Sequence, residues 1–305
     1  MPTTLLPIEA FLLFVAAPTV VVLSLLEAVV LSRRQAYDWR ALGVSFFDYV
    51  VRIIVTVLLP ASIVAPFIPW VYAHQLTKIT VDGWGSALLL FFLLEFFYYW
   101  QHRAGHQVRW FWSNHAIHHS PNQLNLSASL RIGVFSKVTG VVIFMLPMVW
   151  IGFDLRTVLA ALSLNLLYQF WIHATWIPKL GWLEYVFNTP SAHRVHHAAN
   201  IEYLDGNYGG VLIVFDRLFG TYIAERDDLP CRYGLVNPIT SYNPFSIEFA
   251  QWKSLAHDLA SARSLRAFIG YLAMPPGWKP DGQGETTAEL RASLQLTPTS
   301  VKSTA

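Results

Sequence analysis

Cysteine occurs once in 305 residues, at Cys231, so no disulfide can form within the chain, in keeping with a reducing compartment. Charge is scarce as well: Asp, Glu, Lys and Arg make up 13% of the residues against 54% hydrophobic, and the mean hydropathy is +0.40. That balance excludes an ordinary water-soluble domain and makes a membrane the expected solvent. The net charge of +2 says little, and no basic stretch interleaved with aromatics points to nucleic acid. No internal repeat is evident. The N-terminal apolar run has neither a basic flank before it nor an A-x-A cleavage pattern after it, so it reads as a retained helix.

A membrane span takes roughly 20 apolar residues. Residues 10–31, 50–72 and 87–100 qualify, the last extended by Trp84 and Gly85. Residues 138–172 are also apolar but are interrupted near Gly152, Phe153, Asp154 and Arg156, which predicts a hairpin of two short helices. The expected fold is therefore all-α. Three spans occupy residues 1–101, a helical core with its membrane hairpin occupies 102–250, and a helix covers 251–274. Residues 275–305, rich in Pro, Gly, Ser and Thr, read as a disordered tail. Arg33, Arg34 and Arg40 follow the first span and no Lys or Arg precedes it, so the positive-inside rule puts this loop in the cytosol. Three spans then make everything after Gln101 cytosolic.

Histidine is where the chemistry concentrates. Of 11 histidines, nine fall between His102 and His197. Eight form three boxes: His102 and His106 as H-x-x-x-H, then His115, His118 and His119, then His193, His196 and His197, both as H-x-x-H-H. On a helix, positions i, i+3 and i+4 share a face, so each box presents its imidazoles to one point. An all-nitrogen set suits iron, copper, zinc or nickel better than magnesium or calcium, and eight or nine nitrogens exceed what one ion can take. His173, alone at the end of the hairpin, is a candidate ninth ligand; His74 and His257 lie outside the cluster.

Glu95 lies seven residues before His102, two turns away on the same face, where a carboxylate can orient an imidazole or bond to a neighbouring helix. Glu27, near the end of its span, can snorkel. Residues 96–100 read as an interfacial aromatic belt. Arg103 and Arg194 suit either a lipid phosphate or carboxylate, or structural ion pairs. Asn125, Asn200, Asp205, Asn207 and Tyr208 flank the boxes in loops, where turn formation is the default role.

A zinc protease needs H-E-x-x-H, but Arg103 follows His102 and no box carries an internal carboxylate. A haem protein would use one or two axial histidines and leave the rest unexplained. A zinc- or iron-binding transporter is the rival from another class. Its sites lie near the bilayer midplane, however, whereas these boxes follow a span.

The boxes and their surroundings resemble the fatty acid hydroxylase / sterol desaturase superfamily of integral membrane di-iron proteins, over residues 95–249. Tyr98-Tyr99-Trp100-Gln101-His102-Arg103, Asn125-Leu126-Ser127, Asn207-Tyr208-Gly209-Gly210-Val211 and Asp216-Arg217-Leu218-Phe219-Gly220-Thr221 are similar to the branch containing alkylglycerol monooxygenases, as are residues 165–173. Within that last segment Gln169 stands where acyl-chain hydroxylases have a further histidine. Ala192 replaces a histidine that many relatives carry before His193. The animal ether-lipid enzymes have an acidic residue where Gln107 stands; because they use tetrahydrobiopterin, Gln107 leaves the reductant open between that pterin and a ferredoxin or cytochrome.

The resemblance implies a histidine-rich helical cap over the membrane helices and two iron ions held by the nine histidines, with Glu95, Gln169 and Asn207 in support. It implies O₂-dependent hydroxylation of a lipid C–H bond, in an ether lipid or sterol, or desaturation at the same centre, with lipid, O₂ and an electron-transfer protein or reductase as partners.

Overall fold

The computed structural model describes residues 4–34, 37–59 and 62–294, and among them it contains helices and three isolated β-bridges but no strand. α1 (Pro7–Arg34) is mostly apolar, with a π-helical stretch at Leu12–Ala16. α2 (Trp39–Leu58) starts on Asp38, whose carboxylate accepts from Ala41 N at 2.9 Å. After the short α3 (Ile68–Ala73) comes α4 (Trp84–Gln107), whose 24 residues reach about 36 Å. α5 (Arg109–His118), α6 (Leu146–Ile151) and α7 (Leu155–Ile172) follow, then α8 (Pro190–His196) and α9 (Val214–Phe219). α10 (Pro244–Ser261), α11 (Leu265–Ala273) and α12 (Thr287–Ser293) close the chain.

Three helices among the described residues are long and apolar enough to cross a membrane: Pro7–Arg34, Trp39–Leu58 and Leu155–Ile172. Phe14, Val57 and Leu58 are each about two-thirds exposed or more on α1 and α2, an exterior that only lipid satisfies. The chain is a membrane protein. The expected span over residues 50–72 is not one helix. α2 begins 11 residues earlier and stops at Leu58, and Pro66 and Pro69 open the next two short turns, where a missing N–H costs nothing. The earlier start takes in Asp48, a charged residue that is buried and bonded to Ile132 N at 3.0 Å and Gly133 N at 3.1 Å. The expected third span, residues 87–100, lies inside α4, which runs on unbroken through His106 and is not among these three helices; α7, expected as half of a hairpin, is the third instead.

The interruption of residues 138–172 falls where expected. Gly152 adopts φ 144°, and a Cβ there would lie 2.6 Å from the Thr77 carbonyl oxygen. Asp154 then caps α7 by accepting from Arg156 N at 2.9 Å. The stripe Leu90, Leu94, Tyr98, His102 and His106 of α4 is buried at i+4 spacing; its apolar half packs with Met145, Met148, Val149, Phe153 and Val158. That core fixes α4 against α6 and α7, so the histidine-bearing end of α4 projects from a rigid base. Residues 96–100 serve packing: Tyr99 and Trp100 lie against Phe219, with ring centroids 5.1 Å apart in each case.

Two expectations near the C-terminus are corrected. Residues 251–274 form parts of two helices, because the chain turns extended at Ala262 and restarts on Ser264, which caps α11. Residues 275–294 are ordered against the core. Trp278 seats its ring over Gly270, where a Cβ would come within 2.4 Å, and stacks edge-on with Tyr271. The remainder of the expected disordered tail, 295–305, lies outside the described residues.

Candidate metal centre

The nine histidines of the cluster fall into two groups, each with one nitrogen per ring lying within 4.8 Å of the others. His102, His106, His115, His119 and His196 form the first; His118, His173, His193 and His197 form the second. The first box serves the first group alone, and the other two boxes are divided between the groups. α5 sends His115 and His119 one way and His118 the other, and the α8 box divides likewise, because i+3 and i+4 neighbours flank opposite sides of a shared face. His173 joins the second group at the C-terminus of α7.

Four rings are held from behind by backbone carbonyls. His102 Nδ1 lies 2.9 Å from the Tyr208 oxygen, His118 Nδ1 2.9 Å from that of Arg131, His173 Nδ1 2.7 Å from that of Gln169, and His196 Nδ1 3.0 Å from that of Gly206. A carbonyl only accepts, so each Nδ1 carries the proton and each Nε2 presents a lone pair. These lone pairs point at one another. In the first group, Nε2 of His115 lies 3.2 Å from His102, 3.1 Å from His106 and 3.2 Å from His119. In the second, Nε2 of His173 lies 3.4 Å from His118 and 3.1 Å from His193, which lies 3.1 Å from His197. His196 Nε2 is buried with no hydrogen-bond partner among the described residues.

Lone pairs facing each other at such distances repel unless a cation lies between them. Nitrogens about 2.1 Å from a common ion lie about 3.0 Å apart at a right angle and about 3.4 Å apart at the tetrahedral angle. The observed separations match that range, so the residues fit two transition-metal ions. Burial, reinforced by repulsion from neighbouring imidazoles, holds His115, His119, His193 and His197 well below the usual histidine range, and burial does the same for His196. The ligands are therefore neutral and ready for metal at neutral pH.

The carbonyls are positioned in turn by side chains. Glu95 does not touch His102. Its carboxylate accepts from Asn165 Nδ2 at 2.5 Å and from Val211 N and Leu212 N at 2.9 and 2.8 Å. It thus holds the 208–212 loop, and acts on His102 only through the Tyr208 carbonyl. Gln169 offers its carbonyl to His173, while its side chain links Tyr98 and Asn165 at 3.0 and 2.6 Å. Asn207, at φ 58°, donates to the Ala192 and Ile223 carbonyls at 2.9 and 2.8 Å and so ties the loop to α8. Asp216 accepts from Tyr208 N and Gly209 N, both at 2.7 Å.

Other expectations change. Glu27 does not snorkel: it is buried and accepts from Leu126 N at 2.6 Å and Trp176 Nε1 at 2.8 Å. Arg194 is spent on Glu225, at 2.8 and 2.6 Å. Arg103 donates to Tyr99 at 3.2 Å. The carbonyls of Arg131, Gly206 and Tyr208 were not anticipated, since a backbone oxygen leaves no mark in sequence. Asp216, four residues beyond a Gly-rich loop, was a readable signal.

A cavity of about 210 Å³ opens beside the first group. His106, His119 and His196 line it together with Trp112, Leu235 and Asn237, and the C-terminal segment closes it with Glu285, Thr287 and Leu290.

Residues 87–221 match the fatty acid hydroxylase family. Among curated proteins, the chain is 35% identical over 209 residues to an alkylglycerol monooxygenase of Xenopus tropicalis, covering 68% of this chain and 46% of that one. It is 39% identical over 197 residues to an alkylglycerol monooxygenase of Homo sapiens, covering 65% and 43%. An ornithine lipid hydroxylase of Rhizobium tropici is 28% identical over 144 residues, covering 46% and 44%. The matched region spans about half the length of these relatives. No solved structure matches the chain.

Proposed function

From the premise that the chain belongs to the fatty acid hydroxylase family, shown by residues 87–221 and its alkylglycerol monooxygenase relatives, we propose that it is a di-iron, O₂-dependent hydroxylase of a membrane lipid, with an ether lipid as its substrate class. The observation that carries this reading is the pair of imidazole groups whose lone pairs converge at 3.1–3.4 Å. A bound iron pair supplies the reductive activation of O₂ and the removal of hydrogen from a C–H bond, chemistry beyond any side chain.

The protein's part is to hold and to exclude. Carbonyls fix four of the nine rings so that their Nε2 atoms face inward, and the buried setting keeps bulk water from the reacting carbon. Hydroxylation consumes O₂, two electrons and two protons and returns the alcohol and water, so an external reductant is required. At the carbon beside an ether oxygen the product is a hemiacetal, which collapses to an aldehyde and a free glycerol hydroxyl. Desaturation would place the same centre against two adjacent C–H bonds. The location of both groups, beyond the apolar stretch of α4 and at the end of α7, supports an enzyme at the membrane face over a transporter; that face is the cytosolic one by the arginines after the first span.

Purified protein from iron-57-grown cells tests the reading by metal analysis, Mössbauer spectroscopy and a lipid screen under O₂. About two irons per chain with a coupled signal, and O₂-dependent loss of an ether lipid, are expected. Zinc alone after iron-supplemented growth, with no lipid oxidised, overturns it.

A further inference from the structure

The first group contains one ring held differently from its neighbours. His102 and His196 lean on carbonyls, whereas His106 turns Nδ1 toward the Asp205 carboxylate, 3.8 Å away. No other carboxylate comes as near to any of the nine rings among the described residues. Asp205 holds this place at φ 55°, in the left-handed region that residues with a side chain seldom adopt, immediately before the Gly206 carbonyl that supports His196.

What keeps Asp205 there comes from the far end of the chain. Arg291 of α12 donates to the carbonyls of Ile201, Glu202 and Leu204 at 3.3, 3.4 and 2.6 Å, clamping the loop that delivers Asp205. Thr287, at the start of the same helix, lines the same cavity as Asp205. α12 is itself secured by reciprocal bonds between Thr286 and Glu289.

We propose that Asp205 is a positioning residue for His106, and that α12 holds it in place, so that the C-terminal segment completes the first ion site and leaves the second untouched. At 3.8 Å the carboxylate acts on the ring through its charge, favouring the proton on Nδ1 and the lone pair on Nε2. The inference rests on the metal-centre reading, but not on which transition ion is native.

The test uses the full-length, metal-free protein in detergent, titrated with Co²⁺ and followed by its visible absorption, with thermal unfolding alongside. The parent is expected to bind two ions. Asp205→Asn is expected to weaken one of them by about ten- to a hundredfold and to leave the other, and the metal-free unfolding temperature, at parental values. Arg291→Ala, which removes no group near the ions, is expected to weaken the same ion several-fold. Parental affinity for both ions in Asp205→Asn overturns the inference alone. So does equal weakening of both ions together with a lowered unfolding temperature, which marks Asp205 as merely structural. A parent that binds no transition ion overturns the metal-centre reading and this inference with it.

Discussion

Asn165 of α7 donates to Glu95 of α4 at 2.5 Å, and Asn165 Oδ1 accepts from Gln169 Nε2 at 2.6 Å. This one junction ties the helix that carries His102 to the residue whose carbonyl holds His173. A buried carboxylate at apolar depth is thereby linked to both ion sites through intermediaries without touching a ligand of either. Glu95→Ala strands three buried donors, which costs about 2–4 kcal/mol. A lowered unfolding temperature in detergent is expected, together with reduced metal content. Glu95→Gln, which still presents one carbonyl oxygen, should lose less than half as much; equal losses would mean that charge, rather than the accepting geometry, matters there.

The division of the second and third boxes between two groups predicts a matched pair of partial losses. His115→Ala should remove the first ion and leave about one metal per chain, and His193→Ala should remove the second with the same remainder. Both variants should fall at least about a hundredfold in lipid oxidation. Metal analysis checks this directly, and a single substitution that empties both sites would contradict the partition.

Acid should unfold the metal-free protein steeply. His115, His119, His193, His196 and His197 are held below their ordinary value in the fold, so below about pH 6.5 the unfolded chain binds protons that the folded chain does not. Their contribution to stability is complete above that pH and is lost as pH falls toward the folded values, by about 1.4 kcal/mol per histidine per pH unit. Metal competes with protons for the same lone pairs. Unfolding temperatures from pH 8 to about pH 5 should therefore fall much faster for chelated than for metal-loaded protein.

The seat of Trp278 on Gly270 should be fragile. A side chain at position 270 collides with the Trp278 indole at 2.4 Å, and the rigid ring must move as a whole to make room. Gly270→Val is expected to release the C-terminal segment, opening the Arg291–Ala292 bond to trypsin, while the membrane helices stay folded. Parental protease resistance would show that the segment docks without this contact.

The sequence makes the all-helical fold and the nine clustered histidines legible, because i+3 and i+4 spacing is a geometric statement in itself. Gly152 and Asp154 announce the break before α7 for the same local reason. The position of α2 is hidden: Asp48 looks like a loop residue until Ile132 and Gly133, 84 and 85 residues later, supply its partners. Glu95 is recognisable as a buried carboxylate, but its partners on α7 and the 208–212 loop are set by packing. Pro, Gly and Thr after residue 275 read as disorder because composition does not register that Trp278 fits a gap left by one glycine.

Both groups draw their last ligands from α8: His196 for the first, His193 and His197 for the second. Neither cage can close around an ion until the third box has been synthesised, and the second also waits for the hairpin that carries His173. Loading of either site is thus a late event in the making of this protein, after the first two apolar helices already exist.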